Sequence, residues 1–337
     1  REDPNKEGLL YAGTEFGMFV SFDDGKNWQS FQQNLPVTPI TDIKIHRGDL
    51  VMSTMGRGFW ILDDVSTLGQ SFDKLNAHTL FEPNTGIRYR YGRISDVRKV
   101  SPSPKYPRPG MNFYYYLAAD VDFVGLKVVN AEGRTVRAYS NKHLAVTVPE
   151  FTSMATNNAN YVYFPKIESG KGHHRIRWDF RNEGAWHRDN KKSKSNGPYV
   201  APGDYTLVLK LDDQELTQSF KLEADPRVIN SGVTQNDMVE QEALCLDVIN
   251  LLSDARRIAN RTKKSITKET DKTAKSYKQL IALQEALVRK KGRYTQPMFI
   301  SQVEYLLGII NRTDQKPGQD AYDRLEELKK EFKSITG

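Results

Sequence analysis

Glycoside hydrolysis needs two carboxylates flanking the scissile bond, about 5–5.5 Å apart in a retaining enzyme and about 6.5–9.5 Å apart in an inverting one. Among the first seventy residues the acids beside turns are Glu15, Asp24, Asp63 and Asp64. No motif assigns an acid or a base role among them, and hairpin structure accounts for each equally well. Metal chemistry has less support. Of six histidines, His173 and His174 are adjacent, so on a strand they point to opposite faces, and the other four are isolated. The single cysteine, Cys245, excludes an intrachain disulfide and a multi-cysteine zinc site. No phosphate-loop, nucleophile-elbow or zincin motif occurs, so the expectation is no metal and no cofactor.

One stretch has residue types at a spacing that a turn demands: Ser21-Phe22-Asp23-Asp24-Gly25-Lys26-Asn27-Trp28, the pattern S-x-D-x-G-x-x-W. Asp23 can accept backbone amides across the turn, Gly25 supplies a positive φ, and Trp28 covers the turn from the next strand. As a core aromatic, Trp28 would cost about 3–5 kcal/mol to truncate to Ala. The elements around it repeat. Leu10-Tyr11-Ala12-Gly13-Thr14 returns as Leu50-Val51-Met52-Ser53-Thr54, and Gly17-Met18-Phe19-Val20 as Gly58-Phe59-Trp60-Ile61, a period of 40 to 41 residues. Each copy reads as two short strands joined by a glycine-containing turn, and a period in the forties with several strands per unit belongs to β-propeller blades.

The box, with the flanking Tyr-Ala-Gly-Thr-Glu-Phe-Gly, resembles the Asp-box (BNR-repeat) β-propeller proteins: the sortilin or Vps10-like proteins, sialidases and two-propeller glycosidases. Gly56 to Asp64, reading G-R-G-F-W-I-L-D-D, is similar to the last blade of large secreted bacterial proteins of the glycosyl-hydrolase-like kind. In those relatives a His commonly precedes this run, where this chain has Met55. The resemblance implies a structural role for Ser21, Asp23, Gly25 and Trp28, because the box is a folding device. Arg57 and Trp60 are candidate ligand or partner contacts: Arg57 either binds an anion in a central channel or pairs with a neighbouring blade. A propeller closes with about 4–8 blades, so residues 1–70 are expected to be the last blades of an incomplete one, completed by protein outside these 337 residues or by another chain.

Residues 71–111 read as a proline-rich connector, with a Ser101–Gly110 run of polyproline character. Tyr89, Tyr91 and Tyr106 beside Arg88, Arg90, Arg93 and Arg98 fit either a binding strip or, more simply, packing of the connector on its neighbours. Residues 112–227 hold several strand-length runs separated by turns and read as a β-sandwich. Within it, His174 to Asn182 and Val200 to Leu207 look like motifs of immunoglobulin-like modules of the flagellar-hook-capping type, which hold proteins together. The basic loop from Asn182 to Pro198 contains Trp186, a third candidate partner contact. Residues 228–337 form a helical bundle by their apolar spacing: Met238 to Ile258, Tyr277 to Leu287, Phe299 to Ile310, and a last helix with Leu325 and Leu328 inward. The expected fold is thus mixed and mainly β.

Composition limits the partners. No run of about 18 uncharged apolar residues spans a bilayer. The chain opens on a polar Arg1 to Glu7 with no signal peptide visible and reads as a mature or cut fragment. Formal charge is +7, but Arg256 to Arg293 alone holds thirteen basic residues against three acids, leaving −3 for the rest. Lys263, Lys264, Lys268 and Lys272 form the densest part of this patch. It suits an anionic surface, a polyanionic glycan or an acidic partner, or it is a solvated face; with Tyr277 the only ring between Arg256 and Arg293, nucleic acid is unlikely as a ligand. The expected function is a secreted or cell-envelope interaction protein that binds proteins, and glycan in some cases, through a propeller face and appended docking modules. The competing expectation is a glycan hydrolase whose acids lie mostly in an upstream propeller.

Overall fold

The computed structural model describes residues 1–71, 76–90, 110–142, 167–188, 197–288 and 295–337. The chain is mixed and mostly β, with fifteen strands and six helices among these residues. It divides into two compact units. One contains residues 1–84, 112–121 and 170–176, and the other contains the remainder.

In the first unit β1 (Glu2–Asp3), β2 (Lys6–Thr14), β3 (Gly17–Ser21) and β4 (Gln29–Ser30) form an antiparallel sheet in that order. A second antiparallel sheet is made by β5 (Ile40–His46), β6 (Asp49–Thr54) and β7 (Phe59–Leu62). These are the two copies of the sequence repeat. Leu10 pairs with Ser21 in one and Leu50 with Leu62 in the other. The period lengthens from 40 to 41 residues at the hairpin tip, because Glu15-Phe16 becomes Met55-Gly56-Arg57. Two backbone bonds also repeat: the Asp24 amide donates to the Gly8 carbonyl (3.0 Å) and the Val65 amide to the Gly48 carbonyl (2.7 Å).

Alternation of apolar residues along β2, β3 and β6 gives each sheet a face to bury. Tyr11, Met18 and Val20 of the first sheet and Ile43, Leu50 and Met52 of the second share one core. Gly13 lets the sheets approach, since a Cβ there would lie 2.5 Å from Ile40 Cγ2. After β7 the second copy departs from the first: helix α1 (Ser66–Ser71) stands where the first has its turn and β4. The remaining strands of this unit come from β8 (Thr79–Leu80), β10 (Met111–Leu117) and β13 (Gly172–Trp178), ordered β13-β10-β8.

The second unit holds a five-stranded sheet ordered β12-β11-β14-β15-β9, from β9 (Gly86–Arg88), β11 (Val124–Asn130), β12 (Thr135–Ser140), β14 (Gly203–Leu211) and β15 (Gln214–Ala224). All pairs are antiparallel except β15 with β9. The wholly buried Trp178 packs edge-on against Phe180, Tyr205 and Phe220. The Tyr205 hydroxyl donates to the Ala201 carbonyl (2.6 Å), which pins the turn leading into β14.

Helices follow in the order α2 (Pro226–Asn230), α3 (Gln235–Lys268), α4 (Lys275–Leu287), α5 (Phe299–Ile310) and α6 (Gln319–Thr336). A Thr234–Asp237 capping box starts α3, satisfying backbone amides that the first turn leaves unpaired. Leu244, Val248, Leu252, Val303, Leu306, Leu325 and Leu328 share its core, so the apolar stripes converge. Pro317-Gly318 does not close α5, which ends at Ile310; Gly318 instead caps α6. The connector contributes β9 to the sheet and buries Arg88 against Asp314 (2.7 Å, both side chains 2% exposed). Arg90 also reaches Asp314 and the Asn311 carbonyl, each at 2.7 Å. Tyr91, Arg93, Arg98 and Tyr106 and nearly all of the Ser101–Gly110 run lie outside the described residues.

Candidate functional site

The box turn is built from side-chain to backbone bonds within eight residues. Ser21 Oγ donates to Asp23 Oδ1 (2.9 Å) and accepts the Gly25 amide (2.9 Å). Asp23 accepts the Asn27 amide on Oδ1 (2.8 Å) and the Asn27 side chain on Oδ2 (2.6 Å). The Asn27 side-chain bond, then the Asn27 backbone bond, hold the Asp23 carboxyl below the usual carboxylate range. Asp24 and Gly25 turn the chain at φ 58° and 81°. Trp28 lies over Gly25 and donates its indole N–H to the Gly25 carbonyl (3.0 Å), yet 44% of the residue stays exposed. Trp28 is therefore a lid on the turn, and its truncation removes less packing than a core aromatic would.

At the other end of the strands stand the hairpin tips. The Thr14 hydroxyl donates to the Gly17 carbonyl (3.1 Å) and the Thr54 hydroxyl to the Gly58 carbonyl (2.7 Å). Phe16 on one tip is 73% exposed, and Met55 on the other 68%. Arg57 is exposed between Gly56 and Gly58, both at positive φ, and makes no ion pair with any described residue. Trp60 is half-buried and donates to the Arg57 carbonyl (3.1 Å), as Trp28 does to Gly25.

The acids fall into two groups. Glu15 and Asp24 sit at opposite ends of β3, about 17 Å apart for five strand residues, beyond glycosidase spacing. Asp63 and Asp64 follow β7 and lie near Asp49, Tyr114 and Arg175. The Asp64 amide donates to Asp49 Oδ1 (2.9 Å), and Asp64 Oδ1 accepts from Ser66 (2.5 Å) and Asn84 (2.8 Å). Burial pushes the Asp64 carboxyl up, with the Ser66 bonds acting against it. Desolvation, then the Asp49 charge, raises Asp63 as well, with Arg175 opposing. The Tyr114 phenol is pushed up to about 12 by burial and by Asp64. A carboxyl raised in this way is suited to general-acid work. The Asp64 carboxyl is held by Ser66 and Asn84, whereas Asp63 is the more exposed of the two.

In the second unit Trp186 is only 8% exposed. Its amide donates to Ser253 Oγ (3.0 Å) and its ring lies under Arg257, so it anchors its loop on α3. Lys263, Lys264, Lys268 and Lys272 are all exposed, at and just beyond the C-terminal end of α3. His173 stacks on Phe81 and lies tilted against Tyr116, while His174 stacks on Tyr115, on the opposite face of the strand. Among the described residues no group of three or more His, Cys, Asp or Glu is placed to hold a metal ion, and no helix is long and apolar enough to cross a membrane.

Sequence reasoning missed Glu242. From α3 it accepts Arg134 (2.6 Å), the Asn182 side chain (2.8 Å) and the Ala201 amide (2.6 Å), tying three loops of the sheet to the helix. Its place inside the apolar stripe of α3 was the available signal.

No family model and no curated protein matches the chain. Among solved structures, domains 4 and 5 of the S-layer protein SbsC are similar over 66% of this chain and 97% of that one, with 11% identity and a TM-score of 0.17.

Proposed function

We propose that the chain is a secreted or cell-envelope interaction protein whose first unit is the end of an Asp-box β-propeller and whose second unit supplies an immunoglobulin-like sandwich and a helical bundle for docking. The observation that carries this reading is where large apolar side chains face water. Phe16, Trp28, Val37, Met55, Phe59 and Ile61, six of the eleven exposed large apolar side chains among the described residues, fall within the first 61 positions. Large apolar side chains left facing water support a contact role for this part of the chain. Two of the six sit on the repeat-equivalent hairpin tips, beside the exposed Arg57.

Retention on immobilised peptidoglycan sacculi and on a panel of insoluble polysaccharides tests this reading, with Phe16→Asp/Met55→Asp as the comparison. The intact chain should be retained and the variant lost to the wash. Equal behaviour of the two removes the tips from the binding surface.

A second reading, glycan hydrolysis, is favoured by the raised carboxyl of Asp63 beside Tyr114 and Arg175. Release of reducing sugar from aryl glycosides or polysaccharides that Asp63→Asn abolishes would replace the interaction reading with this one.

A further inference from the structure

The repeat relates the two sheets of the first unit residue by residue, and it exposes an imbalance. Shifting the first sheet by 40 residues before the tip and 41 after it puts Tyr11 on Val51, Met18 on Phe59 and Val20 on Ile61. In the first sheet those side chains are 1%, 1% and 2% exposed, because they share a core with the second sheet. In the second sheet Phe59 is 81% and Ile61 60% exposed, with Val51 paired beside Ile61. The face that the first copy buries is therefore left open in the second.

The opposite faces are related in the same way. Leu10 maps on Leu50, Ala12 on Met52 and Phe19 on Trp60. Leu50 and Met52 are buried in the shared core at 0% and 6% exposure, whereas Leu10, Ala12 and Phe19 are only half-buried. One chain thus carries both halves of the sheet-on-sheet contact a second time, each without its counterpart among the described residues.

We infer that the outward face of the second sheet, centred on Phe59 and Ile61, docks the first sheet of another copy of this chain, packed as the second sheet packs on the first. Such a contact is head-to-tail: the two copies use different surfaces, and each keeps one half free. The inference rests on the interaction reading above and names a partner for it, through Phe59 and Ile61 of β7 rather than through the tip residues Phe16 and Met55.

Sedimentation equilibrium of the intact chain over a wide concentration range tests it. The mean mass should rise above 38.5 kDa with concentration. Phe59→Asp/Ile61→Asp, which alters only exposed side chains, should stay at the monomer mass with an unchanged thermal melt. Ala12→Arg, on the opposite face, should do the same, with Phe19→Glu as the second variant if Ala12→Arg lowers the melt. Mixed in equal amounts, the two monomeric variants should form a one-to-one dimer of twice 38.5 kDa and nothing larger, because each retains the half that the other lost. A chain that stays monomeric at every concentration overturns the inference. So does association that survives Ala12→Arg, since that would be a symmetric contact through Phe59. Neither outcome alters retention on sacculi through Phe16 and Met55, so failure here is distinguishable from failure of the interaction reading.

Discussion

The Thr54 hydroxyl donates to the Gly58 carbonyl across the second hairpin tip, as Thr14 does to Gly17 across the first, although the second tip is one residue longer. Preserving that bond through an insertion shows that the tip is fixed by its threonine and glycine and tolerates change between them. Thr14→Val and Thr54→Val should each lower stability by about 0.5–1.5 kcal/mol, the net worth of one hydrogen bond, as read by urea denaturation. A much larger loss at one tip alone would mean that the tips are not equivalent.

Trp28→Ala should cost about 1.5–2.5 kcal/mol, roughly half the value for a buried aromatic, because nearly half of the residue already faces water. Trp178→Ala, at a wholly buried position, should cost about 3–5 kcal/mol. Thermal melts of the two variants side by side check the ranking, and equal losses would make Trp28 a core residue.

Asp314 pairs with both Arg88 and Arg90 in the second unit. Asp314→Ala strands the buried Arg88 and the half-buried Arg90 and should cost about 3–5 kcal/mol. Arg88→Met leaves the Arg90 pair in place and should cost clearly less. Equal losses would show that the two arginines are not coupled through Asp314.

Asp63 has a folded-state carboxyl pKa above its ordinary value, from desolvation and then from Asp49. The folded state holds that proton more tightly than the unfolded state does. The resulting stability is fully present below the ordinary carboxylate pKa and is lost as pH rises through the raised one. Asp63→Asn should therefore raise the melting temperature at neutral pH and leave it unchanged in acid. A gain of equal size at both pH values would remove the titration of Asp63 as its cause.

Lys263, Lys264, Lys268 and Lys272 lie exposed within the basic segment. Attraction through such a patch weakens as salt shortens the Debye length from about 10 Å at 0.1 M to about 3 Å at 1 M. The intact chain should sediment with anionic vesicles, not neutral ones, at low salt and be released at high salt. Reversal of all four charges should abolish sedimentation without changing helicity. No vesicle binding at low salt would leave the lysines as a solvated face.

The residues that could be read in advance are those whose partners are near in sequence. Ser21, Asp23, Gly25 and Asn27 close their turn within a few residues, and the 40-residue repeat declares two equivalent hairpins, so local chemistry alone specifies both. The apolar spacing of α3, α5 and α6 is equally local, and Leu325 and Leu328 fall inward as the period requires. What lies across long stretches of chain was not legible. Nothing near Arg88 announces Asp314, nothing near Glu242 announces Arg134 or Ala201, and the gathering of Asp63, Asp64, Tyr114 and Arg175 depends on β7, β10 and β13 meeting. The same holds for exposure. Met18 and Phe59 occupy the same repeat position, and their sequence surroundings do not tell which is buried. Periodicity and turn chemistry act through bonds that a short segment makes with itself, so sequence alone determined the hairpins, the box and the helical stripes. Burial and ion pairing are set by whichever distant element arrives, so only the tertiary structure decided that Met18 is covered and Phe59 is left open.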